Sequence, residues 1–200
     1  MLARLITLVL LLAGCATAQL DTEWKSPAPA QSLKGGMVFV MCGAPDEALR
    51  RVCEDVWFKQ LGERGVRATR AYEVAAFAPT ATPADIEAAA KKAGASAVMS
   101  TRLGAGSTTV SRPGPNVGVG VGGGWGGGGF SIGGVGISFP IGGGASTTPS
   151  LAASSSLVEV ASGQVVWSGT ATDTGTQESA VKMSALTDVL LEALKRSGFL

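Results

Sequence analysis

The sequence predicts an α/β protein: a mixed sheet of about five strands with about three helices packed on it, plus a long Gly-rich excursion. Three observations support this class. Strand-length apolar runs alternate with amphipathic, helix-length segments between residues 35 and 103. Two more strand-like runs form a hairpin, and an amphipathic segment closes the chain. We expect a single domain over residues 35–200, with the Gly-rich insertion at about residues 104–150.

The first strand and the first helix have clear signals. Met37 to Met41 is a continuous apolar run, as expected of a buried central strand. The helix that follows has Pro45 near its start and Asp46 in its first turn, where negative charge meets the positive end of the helix dipole. Its predicted buried face consists of Leu49, Val52, Cys53, Val56, Trp57 and Leu61. Its predicted solvated face carries Arg50, Arg51, Glu54 and Asp55.

The next segments repeat this alternation. Val66 to Val74 is predicted to be a second strand. Thr82-Pro83-Ala84-Asp85 opens a helix with a capping-box pattern and proline at the first position. Gly94 ends that helix, and Ala95 to Leu103 is the third strand. The order strand, helix, strand, helix, strand implies right-handed crossovers onto a largely parallel sheet.

The last part of the chain predicts a hairpin and a helix. Leu151 to Val160 and Gln164 to Thr172 are strand-like runs joined tightly through Ser162-Gly163. Apolar residues at helical spacing from Leu186 to Leu194 form the buried stripe of a final helix, which Gly198 caps.

The amino terminus carries an export signal. A basic residue precedes an apolar run, Leu5 to Leu12, within the roughly 7–15 residues typical of a secretory signal peptide. The run is too short to cross a bilayer, which takes about 20 apolar residues. It ends in Leu12-Ala13-Gly14-Cys15, which resembles a bacterial lipobox. An ordinary signal peptide, cut after Ala16-Thr17-Ala18, is the alternative.

The lipobox resemblance implies a membrane anchor. Residues 1–14 would be the signal peptide, and Cys15 would carry a diacylglycerol and an acylated amino terminus, with chains such as palmitate. Residues 15–34 are then predicted to be the lipidated cysteine and a flexible tether. Residue 16 is Ala and not Asp, which by resemblance to sorting rules of enteric bacteria favours the outer membrane. We expect the domain to face the periplasm.

Composition narrows the function classes. The net charge is +1 and Lys and Arg are not clustered, so we expect no nucleic-acid partner. The chain has no histidine, which excludes Ser-His-Asp catalysis and histidine zinc sites. We therefore predict no catalytic residues, no cofactor, no metal site and no enzymatic activity. An enzyme would require a cluster of acidic side chains in a pocket.

Two cysteines remain once Cys15 is lipidated. Cys42 ends the first predicted strand and Cys53 lies on the inward face of the following helix. An even pair in an oxidising compartment favours a disulfide, which would add roughly 2–3 kcal/mol by closing a short loop. Two buried thiols that pack as small apolar groups are the alternative. Spacing alone leaves both open, because a disulfide needs the Cα atoms within about 7 Å.

The Gly-rich tract alternates with period two, which is typical of strands with one apolar face. The alternating residues are Val117, Val119 and Val121, and then Val135, Ile137, Phe139 and Ile141. Gly118 to Gly123 matches a dinucleotide-binding pattern only formally, since more glycine follows and no acidic residue appears downstream. Three interpretations remain: a loose loop, a hairpin over Val117 to Ile141 that docks on a partner or a sister subunit, and insertion into a membrane.

Several segments together resemble a family of uncharacterised proteobacterial outer-membrane lipoproteins. They are Trp24-Lys25, the apolar first strand, Arg51-x-x-Glu54-Asp55, Gly94-Ala95-Ser96-Ala97-Val98 and Gly163-Gln164-Val165-Val166-Trp167-Ser168. The layout is also similar to the amino-terminal domain of TolB and to periplasmic lipoproteins of polysaccharide and curli export. The resemblance spans most of residues 24–199 and implies a fold and a compartment. No catalytic residues come with it.

These observations favour a non-enzymatic, lipid-anchored accessory or scaffold lipoprotein at the outer membrane. Acylated Cys15 would provide the membrane contact. The alternative is a subunit of an oligomeric export or envelope-assembly complex. In that case Val117 to Ile141 would contact a protein partner or another copy of the chain.

Overall fold

A computed structural model describes residues 17–74, 81–106 and 150–200. The strands are Ala18–Lys25 (β1), Met37–Gly43 (β2), Arg67–Arg70 (β3), Ala97–Gly106 (β4), Ser150–Glu159 (β5) and Val165–Asp173 (β6). The helices are Glu47–Glu63 (α1), Pro83–Lys92 (α2) and Ser179–Arg196 (α3), and Ala71–Glu73 forms one 3-10 turn. The predicted lipidation site Cys15 and the predicted contact segment Val117 to Ile141 lie outside the described residues.

The strands form one sheet in the order β1-β6-β5-β4-β2-β3. β2 pairs in parallel with both β3 and β4, whereas the β4–β5, β5–β6 and β1–β6 pairs are antiparallel. This confirms the predicted α/β class, with a mixed sheet and three helices. The sheet has six strands where about five were expected, and the additional strand is β1.

β1 corrects the prediction of a flexible tether over residues 15–34. Ala18 pairs with Asp173, and the pairing continues antiparallel to Lys25 opposite Trp167. Ala18, Leu20 and Trp24 alternate with polar residues, which is a strand signal that the tether prediction did not take into account. Most β1 side chains are nevertheless exposed. An edge strand can form through its backbone hydrogen bonds to one neighbour, with few buried side chains of its own.

We call the folded domain formed by the described residues the body. Side-chain contacts attach β1 to the rest of it. The Trp167 indole N–H donates to Glu23 Oε1 at 3.0 Å, and the Ser197 hydroxyl donates to the same oxygen at 2.6 Å. Burial raises the pKa of Glu23, but the hydrogen bonds from Ser197 and Trp167, together with the charges of Arg196 and Lys25, leave that pKa below its ordinary value. Lys25 Nζ donates to the Ser197 carbonyl at 2.8 Å. These contacts join β1 to β6 and to the end of α3.

The segment after β1 is also part of the body. Leu33 is buried, and its N–H donates to the Phe199 carbonyl at 2.8 Å. The Gly36 N–H donates to the Leu33 carbonyl at 3.1 Å, directly before β2. The chain therefore crosses one end of the sheet between β1 and β2 in contact with the carboxyl terminus.

The sheet has a core on each face. The larger core packs α1 and α3 on the sheet and contains the two fully buried tryptophans, Trp57 and Trp167. The smaller core packs α2 against Phe39, Val98 and Val158. Packing is tight at Gly169, where a Cβ atom would lie 2.7 Å from the Trp167 ring, so only glycine fits beside that indole.

The sequence signal at the start of α2 predicted the structure correctly. The predicted capping box at the start of α2 is confirmed: the Asp85 N–H donates to the Thr82 hydroxyl, and the Thr82 N–H donates to the Asp85 carboxylate. The predicted strand Val66 to Val74 is shorter than expected, because the chain leaves the sheet after Arg70 and enters the 3-10 turn.

In the described ranges, no helix is both long and apolar enough to cross a bilayer.

Candidate functional site

The two cysteines of the described body form a disulfide between the end of β2 and the second turn of α1. The Cα atoms of Cys42 and Cys53 are 6.1 Å apart, within the range that a disulfide requires. Both residues are buried. They are separated by 11 positions in the sequence, so the bond closes the short connection through which the chain leaves the sheet and begins α1.

A buried carboxylate adjoins this disulfide. Glu54 is fully buried, so the prediction that it lies on the solvated face of α1 with Arg50, Arg51 and Asp55 is wrong for this residue. The Cys42 N–H donates to Glu54 Oε1 at 3.2 Å, and the Tyr72 N–H donates to Glu54 Oε2 at 3.0 Å. Arg50 Nη1 lies 3.5 Å from Glu54 Oε1. Each carboxylate oxygen thus accepts a backbone N–H, one from the end of β2 and one from the turn after β3.

A signal for Glu54 is present in the sequence. Glu54 precedes Trp57 by three positions and Leu61 by seven, which is the spacing of the buried stripe of an amphipathic helix. An acidic residue on such a stripe has to find internal hydrogen-bond partners, because burying an unpaired carboxylate is costly. The sequence does not identify those partners, since they are backbone groups on two other segments.

Burial raises the pKa of Glu54 above its ordinary value of 4.5. The backbone N–H groups of Tyr72 and Cys42 and the charge of Arg50 act in the opposite direction and moderate the effect. A raised pKa in a cleft would suggest acid–base chemistry. Here the carboxylate is enclosed, and its oxygens are engaged by the backbone, so its geometry supports a role in joining three segments.

We call Glu54 together with the Cys42–Cys53 disulfide the buried joint. On its outer side lies a network around Arg70, at the β3 edge of the sheet. Arg70 Nη1 lies 2.7 Å from Asp55 Oδ1, and Arg70 Nη2 pairs with Glu73. The guanidinium also covers the Phe58 ring, 4.5 Å from its centroid, and the Tyr72 hydroxyl donates to Asp55 Oδ1 at 2.6 Å. Charged and short edge strands resist pairing with other chains, so this network protects the β3 edge.

A cavity of about 330 Å³ lies at the opposite end of the sheet from this joint. The segment between β1 and β2 lines it, together with the starts of β4 and β6, the end of β5, and Phe199. Among its described lining residues, Glu159 carries the one charged side chain, and its Oε2 accepts a hydrogen bond from the Ser162 hydroxyl at 2.6 Å. Glu159 and Ser162 are three positions apart, and their hydrogen bond lies within the turn that joins β5 to β6.

The described residues do not bring together a metal site. Within residues 17–74, 81–106 and 150–200, no group of three or more His, Cys, Asp or Glu side chains could hold an ion. Of the predicted site residues, the structure joins Cys42 to Cys53, and neither lines the cavity at the other end of the sheet. The structure thus contains a covalent and hydrogen-bonded joint and a separate cavity.

Comparisons with known proteins give structural similarities at low sequence identity. No protein-family model matches the chain, and no curated protein matches it in sequence. A PelC dodecamer from Paraburkholderia phytofirmans is 17% identical, with a TM-score of 0.48, and the match covers 84% of this chain and 94% of that one. A second PelC dodecamer structure from the same organism has a TM-score of 0.45 at the same identity and coverage. Lipoprotein GNA1162 from Neisseria meningitidis is 12% identical, with a TM-score of 0.41, and the match covers 80% of this chain and 99% of that one.

The disulfide predicts a measurable stability difference. Replacing both residues, Cys42→Ser with Cys53→Ser, should lower the free energy of unfolding by about 2–3 kcal/mol, because the open loop regains conformational entropy in the unfolded chain. Urea unfolding at neutral pH measures this. A reductant should destabilise the wild type and leave the double variant unchanged. Uptake of two thiol-blocking groups by unreduced, denatured wild-type protein would show that the bond is not formed.

The buried carboxylate predicts a specific pH dependence. Glu54→Gln places an amide NH₂ against one of the two backbone donors, so we expect a loss of about 1–3 kcal/mol in the free energy of unfolding. Because the native pKa of Glu54 is raised, the contribution of this one group to the free energy of unfolding is largest below its ordinary pKa of 4.5. That contribution declines as the pH rises through the native value. The gap between wild type and variant should therefore narrow with rising pH.

A matched control is Glu63→Gln on the same helix, because the Glu63 side chain is 56% exposed. This substitution should change the free energy of unfolding by less than about 0.5 kcal/mol. Urea unfolding between pH 4 and 8 compares the three proteins. Equal stability of Glu54→Gln and the wild type at every pH would contradict the role of Glu54 as a joint.

Proposed function

We propose that this protein is a non-enzymatic, lipid-anchored lipoprotein of the outer membrane that faces the periplasm and serves as an accessory or scaffold. The observation that carries the proposal is the lipobox at Leu12 to Cys15, followed after two residues by a disulfide-bonded body. The outer-membrane lipoprotein family that the sequence resembles has the same compartment.

Two independent features support the proposed compartment. Leu12-Ala13-Gly14-Cys15 directs export and acylation by its resemblance to a lipobox. The Cys42–Cys53 bond suits an oxidising environment such as the periplasm, since disulfides are rare in a reducing cytosol. One acyl chain binds a membrane only marginally, whereas two or more anchor a protein stably. A fully acylated Cys15 would keep the body at the membrane.

The scaffold role is supported by how the acidic groups of the described body are used. Glu54 accepts hydrogen bonds from two backbone N–H groups, and Glu23 accepts them from Trp167 and Ser197. Glu159 contributes the one carboxylate in the cavity lining. The sequence also lacks histidine, the usual general base near neutral pH. These side chains hold segments together, and we assign the protein no catalytic role.

A second candidate is a subunit of an oligomeric export or envelope-assembly complex. The alternation of Val117 to Ile141 favours it, because an apolar strand face needs a partner surface. In the described body, β1 forms one edge of the sheet, and the Trp24 side chain on it is 50% exposed. Exposed edge strands are recurrent sites of pairing between chains.

Cys15→Ser tests the anchor. Without the thiol there is no acylation, so we expect the protein to leave the outer-membrane fraction and to appear in soluble or unprocessed form. Membrane fractionation and the mass of the amino-terminal peptide measure the two effects. Ala16→Asp is a matched control that should stay acylated and move towards the inner membrane. Wild-type recovery of Cys15→Ser with outer membranes would contradict an acyl anchor.

Replacing Val117 to Ile141 with a short Gly-Ser linker separates scaffold from assembly. The body should still fold, because the described residues form two cores of their own and changes in loop length cost little closure entropy. As a subunit of a complex, the protein should lose native mass; as a scaffold with a passive loop, it should not. Native mass in detergent is the measurement.

The matched control for this replacement keeps residues 117–141 in permuted order, with the same length and composition. It should behave like the linker variant if alternation matters and like the wild type if it does not. Loss of the folded body in the linker variant would show that the segment belongs to the core. That result would contradict the division into body and insertion.

A further inference from the structure

The registers bring four chain positions together at one end of the sheet. Ala18 at the start of β1 pairs with Asp173 at the end of β6. Asp173 also pairs with Leu151 near the start of β5, and Ser150 pairs with Gly106 at the end of β4. We call the end of the sheet defined by Ala18, Asp173, Ser150 and Gly106 the anchor end.

The opposite end is defined by the same registers. Lys25 pairs with Trp167, and Glu159 pairs with Ala97. We call the end defined by these residues and by the turn at Ala161 the distal end. β1 has eight residues, so the two ends are about 25 Å apart at about 3.3 Å per residue. The cavity is lined by Ala97 and Glu159 and therefore lies at the distal end.

The position of the lipobox brings the anchor end close to a bilayer. Ala18 lies three residues after Cys15, and three extended residues reach at most about 11 Å. Because β1 is paired with β6 and Glu23 and Lys25 hold it at its other end, the reach cannot increase by releasing the strand. A lipid on Cys15 thus restrains the anchor end much more closely than the distal end.

The surface at the anchor end suits a layer of phospholipid headgroups. Residues 174–178, which connect β6 to α3, carry one charged side chain, Glu178. Val181 follows in the first turn of α3 and is 54% exposed, the highest value among the exposed large apolar side chains of the described residues. A polar loop with a single charge and an exposed apolar neighbour is compatible with the boundary between headgroups and acyl chains.

We propose that the anchor end is a membrane-apposed surface that contacts phospholipid headgroups, and that the cavity at the distal end opens away from the bilayer. This inference rests on the proposed acylation of Cys15. The described residues that flank the Gly-rich insertion, Gly106 and Ser150, also lie at the anchor end. They are two to three strand spacings from β1, about 10–14 Å at about 4.8 Å per strand.

The test measures the depth of fluorophores on the full-length acylated protein. Single cysteines at anchor-end positions, Thr176→Cys and Gln177→Cys, are compared with distal-end positions, Ala161→Cys and Lys195→Cys. All four residues are exposed, and the Cys42–Cys53 bond is kept intact during labelling. The labelled proteins are reconstituted into vesicles of phosphatidylethanolamine and phosphatidylglycerol that contain a headgroup spin-labelled lipid as quencher.

We expect several-fold more quenching at Thr176→Cys and Gln177→Cys than at Ala161→Cys and Lys195→Cys. Lys195 is the distal counterpart of the two anchor-end labels, which directly precede α3, because this helix runs about 27 Å from Ser179 to Arg196. Equal quenching at all four positions, or more at the distal end, would overturn the orientation. Anchor-end labels shielded from both the lipid quencher and aqueous iodide would also overturn it, because another protein would then cover that surface.

The same labels on Cys15→Ser separate this inference from the proposed function. This variant should not associate with the vesicles, and its labels should not be quenched. If the labelled proteins that retain Cys15 also fail to associate, the acyl anchor is absent and both proposals are contradicted. If the labelled proteins that retain Cys15 associate with the vesicles but are quenched equally at all four positions, the anchor stands and the membrane-apposed surface is excluded.

Discussion

The buried joint formed by Glu54, Cys42 and Cys53 is the constraint on which the larger helical layer depends. The disulfide ties the end of β2 to α1, and the Glu54 carboxylate binds the backbone at both Cys42 and Tyr72. Burying a carboxylate is favourable only when its oxygens are paired, so the position of α1 must satisfy two segments at once. With α1 held in this way, Trp57 and Leu61 pack into the core shared with α3.

The two edges of the sheet are built differently. β3 has four residues, and Arg70 at its end is held by Asp55 and Glu73 and covers the Phe58 ring. β1 is twice as long, and Glu23 and Lys25 fasten it to the end of α3. The acyl anchor proposed at Cys15 would be connected to the sheet through this strand, since Ala18 begins β1 three residues later.

Elements with strong local signals could be predicted from the sequence. The apolar run at β2, the capping box of α2 and the turn between β5 and β6 are specified by residues close together in the chain. The alternation of Ala18, Leu20 and Trp24 with polar residues was a local signal for β1, but the sequence did not show that this strand pairs with β6, more than 140 residues away, or that Trp167 bonds Glu23. The same holds for the short β3, which ends where the Tyr72 N–H turns to Glu54.

The sequence by itself determined the class of the fold, the candidate acylation site at Cys15 and the lack of histidine chemistry, because each depends on composition or on local spacing. It left two alternatives for Cys42 and Cys53, since bonding depends on the approach of a strand and a helix in space. Only the tertiary structure decided that approach, the burial of Glu54 and the pairing of β1. It also brought Ala18, Gly106 and Ser150 to one end of the sheet, because register between strands distant in sequence is set by the packed core.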